Sequence, residues 1–127
     1  MADKEYVMLL SSNSKNGKLV KEFLERKFKK TSLEVILNST VEEGLYTLVQ
    51  NEEKIIYAIL DLTNLDKKIW NLCEELRKKN IEFILLSSID INDKNSVIKK
   101  SGANELFIKP LKKRQLMIAI EDLAKNR

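Results

Sequence analysis

Five apolar runs of strand length, Tyr6 to Leu10, Leu33 to Leu37, Ile55 to Leu60, Ile81 to Leu86 and Leu106 to Ile108, recur along the chain, and each is followed by a segment with helical spacing. The clearest of these segments places Leu19, Val20, Phe23, Leu24 and Phe28 on one stripe with Lys and Glu on the other. Val41, Leu45, Leu48 and Val49 mark a second helix, and Ile69, Leu72, Cys73 and Leu76 a third. Val97 and Ile98 mark a fourth, and Leu116, Met117, Ile120 and Leu123 a fifth. Strands that are apolar on both faces and alternate with helices belong in a parallel sheet covered on each side. The pattern predicts a doubly wound α/β domain with strand order 2-1-3-4-5. The first and fifth helices are expected on one face and the other three on the opposite face.

The 127 residues suit a single domain spanning 1–127, with a core that needs no disulfide or metal to hold it. Cys73 is the one cysteine and sits in an apolar helical stripe, so it reads as core packing. The chain has no His, which removes Ser-His and Cys-His catalysis and most zinc sites. No apolar run approaches the roughly 20 residues that span a bilayer, and MADKEYVMLL lacks the basic head and long apolar stretch of a secretory signal. A cytoplasmic location with no membrane partner is therefore expected. The net charge of +4 comes from Lys and Arg scattered among 19 acids, without stacking aromatics. Direct nucleic-acid binding is not expected, and the basic stretch from Lys112 to Arg114 reads as a solvated helix face.

In a doubly wound sheet the functional crevice lies outside the carboxyl ends of the strands. Four of the predicted strands bring polar residues there: Ser11 and Ser12, Asp61, Ser87 and Ser88, and Lys109 followed by Pro110. Asp61 ends an otherwise apolar run, YAILDLTN, where a carboxylate is costly unless paired. A cation about 4 Å away would attract it by roughly 4 kcal/mol before desolvation is subtracted, and Lys109 is the expected partner.

These residues resemble the receiver domains of two-component response regulators, of the chemotaxis-regulator type, over nearly the whole chain. The resemblance implies a flavodoxin-like fold of five βα units. It implies a phosphoacceptor at Asp61 in AILDL, a phosphate-contacting hydroxyl at Ser87 in LLSS, and the family's Lys-Pro at Lys109 in FIKPL. GANELFIKPL looks like the family's Gly-Ala turn and fifth strand leading into that Lys-Pro.

Two departures qualify the resemblance. Receivers end their first strand with two acids that hold Mg²⁺ together with the phosphoacceptor, whereas VMLLSSNSK supplies Ser11 and Ser12. Asp61, helped at most by the carbonyl of Thr63, is a poor site for a divalent cation. Loop acids Asp66, Asp90 or Asp93 are the candidates to replace the missing ligands. The loop after Asp61 also looks short, and the aromatic switch position is Leu106. For Ser11 and Ser12 the plainer expectation is capping of the first helix.

The reading that follows is an atypical receiver, or pseudo-receiver, acting in two-component signalling as a protein-interaction module and not as an enzyme. No cofactor is expected, and phosphorylation is weak or absent. The resemblance points to a signalling protein, a histidine kinase or a second copy as partner, through the face built by the fourth helix, fifth strand and fifth helix. The alternative is a functional phosphorelay receiver that uses Mg²⁺ and takes phosphate from a histidine kinase onto Asp61. A flavin or nucleotide carrier would need a Gly-rich phosphate loop, and the chain has 3 Gly.

Overall fold

The alternating pattern resolves into β1 (Glu5–Ser11), α1 (Ser14–Lys27), β2 (Leu33–Asn38), α2 (Val41–Gln50), β3 (Ile55–Leu62), α3 (Lys67–Lys78), β4 (Glu82–Ser87), α4 (Lys94–Ser101) and β5 (Glu105–Ile108). The computed structural model describes residues 5–12, 14–27, 33–51, 53–62, 66–87 and 93–108, together with Arg114, Gln115, Met117, Ile118 and Glu121. These last five residues are helical, within the segment expected to form the fifth helix.

The five strands form one sheet in the order β2-β1-β3-β4-β5, and every neighbouring pair is parallel. The order expected from the sequence is the order observed. Met8, Leu10, Ala58, Leu60, Phe83, Leu85 and Leu106 face one side, where Leu48 of α2, Ile69, Leu72 and Leu76 of α3, and Val97 and Ile98 of α4 cover them. Val7, Leu9, Val35, Tyr57, Ile59, Ile84 and Leu86 face the other, under Val20, Phe23 and Leu24 of α1. The expected split therefore holds for α1 against α2, α3 and α4; the face taken by the fifth helix lies outside the described residues. Cys73 is fully buried in the first of these layers, and burial pushes its thiol pKa up to about 12.

Helix ends follow local chemistry. Thr40 caps α2 by accepting from Glu43 N–H at 3.1 Å, while the Glu43 carboxylate accepts from Ser39 N–H at 2.9 Å, a near relative of the capping box. Asp66 and Asp93 cap α3 and α4 by accepting from Ile69 and Ser96 N–H, both at 3.0 Å. At the far end of α3, Asn80 takes φ 57°, letting Ile81 N–H reach Leu76 C=O at 2.9 Å and its own N–H reach Arg77 C=O at 3.0 Å. This is a Schellman closure, and Ile81 and Leu76 are both buried beneath it. Gly102 ends α4 at φ 79°, in the left-handed region that a side chain resists.

One irregularity interrupts the central ladder. Tyr6 pairs with Ile55 but Val7 pairs with Tyr57, so Ile56 is an extra residue in β3. Accordingly Ile55 lies in the layer under α2 to α4, while Ile56 and Tyr57 both lie in the layer under α1. Beyond this bulge the register is regular up to Ser11 opposite Asp61.

Candidate functional site

β1, β3 and β4 each run past their apolar stretch, to Ser11, Leu62 and Ser87, so three polar residues expected at strand ends lie within the sheet itself. Ser11 is 1% exposed, Asp61 4% and Ser87 1%. Parallel neighbours on either side of β3 provide backbone partners for the added residues, which is why the strands continue through a serine and a carboxylate.

Ser11 and Asp61 are register partners, and both follow the strand alternation onto the α1 side of the sheet. The Ser11 hydroxyl donates to Asp61 Oδ2 at 3.3 Å, long for a bond between two oxygens and so a weak one. Gly17 explains how this side is closed. A Cβ on Gly17 would lie 3.0 Å from Ser11 Cβ and 3.0 Å from Leu37 Cδ1, so glycine lets α1 settle directly on Ser11. Ser11 is thus a buried β1 residue whose hydroxyl meets Asp61. Ser12 is exposed in a bend between β1 and α1.

Asp61 also borders a cavity of about 160 Å³ at the carboxyl edge, lined by Leu10, Ser12, Ser39, Thr40, Asp66 and Ile69 among others. The rim thus combines three hydroxyl residues with the amino ends of α2 and α3. Behind it Asn38 is held by Thr47, whose hydroxyl donates to Asn38 Oδ1 at 2.7 Å in a buried contact. Ser87 reaches the same edge on β4, opposite Leu62 and one residue beyond the position that faces Asp61.

Among the described residues the donors around Asp61 do not fit a divalent cation. Beside Asp61 stand Ser11, its register partner on β1, and Ser12 at the rim of the cavity. Of the loop acids offered as replacements, Asp66 borders the cavity but its Oδ1 accepts from Ile69 N–H, and Asp93 caps α4. No three of His, Cys, Asp and Glu come together among the described residues. Lys109, Thr63 and Asp90 lie outside the described residues. Leu106 is fully buried among the side chains under α2 to α4.

Sequence reasoning missed Ser39, Thr40 and Gly17. Thr40 and Glu43 carried a legible signal, a Thr-x-x-Glu box before an apolar helix. Gly17 interrupts a helical pattern, a cue to close packing.

Compared with solved structures, the chain superposes on a two-component response regulator from Clostridium difficile with a TM-score of 0.80 and 20% identity, covering 96% of this chain and 97% of that one. The fold is that of a receiver domain. A response regulator receiver domain protein from Clostridium thermocellum gives 0.80 at 23% identity, over 96% and 95% of the two chains. The non-phosphorylated HemR receiver domain from Leptospira biflexa gives 0.76 at 22%, over 94% of each. The sequence matches no family model and no curated protein. No helix among the described residues is long and apolar enough to cross a membrane.

Proposed function

We propose that the chain is an atypical receiver domain that works in two-component signalling as a protein-binding module, with Mg²⁺-dependent phosphorylation weak or absent. One observation carries this reading: the residue facing the buried Asp61 across the sheet is Ser11, hydrogen-bonded at 3.3 Å, where a phosphorylated receiver needs an acid. Phosphoryl transfer develops charge on oxygens that a cation must offset, and losing such stabilisation costs several kcal/mol, or orders of magnitude in rate. Lys109, one residue beyond β5, is the cation proposed to offset Asp61 in place of a metal. The proposed partner is a signalling protein that docks on α4, β5 and the helix after them, where Val97, Ile98, Phe107 and Ile108 are half-buried. The proposed location is cytoplasmic.

The test is direct. Millimolar Mg²⁺ should leave the amide spectrum around Asp61 and the fluorescence of Trp70 unchanged, and acetyl phosphate should not label the chain. A second reading, a phosphorelay receiver served by a histidine kinase, draws support from the cavity beside Asp61. Ready labelling that Asp61→Asn abolishes would replace the first reading with the second.

A further inference from the structure

We draw no further inference here: the strongest candidate, the groove between α2 and α3 lined by Leu45, Leu48 and Val49, carries nothing because nothing in the structure shows what covers it.

Discussion

Placing an acid at Ser11 tests the geometry of the site most sharply. The Ser11 hydroxyl is 3.3 Å from Asp61 Oδ2, and α1 closes the other side at Gly17, where even a Cβ would lie 3.0 Å from Ser11 Cβ. In Ser11→Asp the new carboxylate cannot turn towards α1 and must project towards Asp61. Two charges about 4 Å apart at an effective dielectric near 20 repel by roughly 4 kcal/mol, equivalent to raising one carboxyl pKa by about 3 units. The sign follows from linkage. A carboxyl whose folded pKa lies above its unfolded value of about 4 destabilises progressively as pH rises from ~4 to ~7, and fully above that. Relative to the parent, Ser11→Asp should lose ~14 °C of Tm at pH 8 and only ~3 °C at pH 4.5. Ser11→Asn, which matches Asp in size without its charge, should show a small deficit that does not vary with pH. Addition of ~10 mM Mg²⁺ at pH 8 should recover most of the loss, because the pair then becomes a cation site. Differential scanning fluorimetry across pH, with and without Mg²⁺, reads all of this. A deficit for Ser11→Asp that is flat in pH and indifferent to Mg²⁺ would mean that positions 11 and 61 do not face each other as described.

Three further outcomes follow from the packing. Gly17→Ala gains about 1 kcal/mol of helix propensity but drives a methyl against Leu37 and the β1 residue Ser11, at a cost of about 1–3 kcal/mol; a net loss in urea denaturation is expected, and a gain would refute the close approach. Gly102→Ala combines φ 79° with a contact against the Arg77 side chain; since that chain is long and exposed it can move, leaving the backbone cost of about 1–2 kcal/mol, and Arg77→Ala should not rescue it. Burial raises the Cys73 thiol to about 12 from an ordinary 9.0, so stability is intact below pH 9 and falls by up to ~1.4 kcal/mol per unit between pH 9 and 12. Cys73→Ala should flatten that slope, and an unchanged slope would assign it to other groups.

The parts of this molecule legible in its sequence are those fixed by local pattern. Uninterrupted runs such as Ile81 to Leu86 announce strands buried on both faces, and the alternation with helices then leaves few topologies. Asp61 was visible for the same reason, as a charge where the run should have stayed apolar. The contact between Ser11 and Asp61 was not visible. That Ser11 faces Asp61 depends on the pairing of strands separated by 50 positions, and on a helix held close by Gly17. Thr47 and Asn38 likewise read as an ordinary helix residue and an ordinary strand end until the fold joins them. The carboxylates of Asp66 and Asp93 could not be assigned from composition, because a loop acid serves equally as a metal ligand or a helix cap, and only its distance to a backbone N–H decides.

The extra residue at Ile56 bears on how such a chain tolerates change in length. From the bulge to Asp61 the strand runs five residues, about 16 Å, and every step is committed to one face or the other. Losing a residue between Tyr57 and Leu60 would invert the faces of all that lie beyond it and turn the carboxylate away from Ser11. Losing Ile56 would only restore a regular ladder and leave Val7 opposite Tyr57. The bulge is therefore slack placed upstream of the site: insertions and deletions arising in the approach to β3 can be taken up there, at the sheet's amino edge, while Asp61 keeps its position.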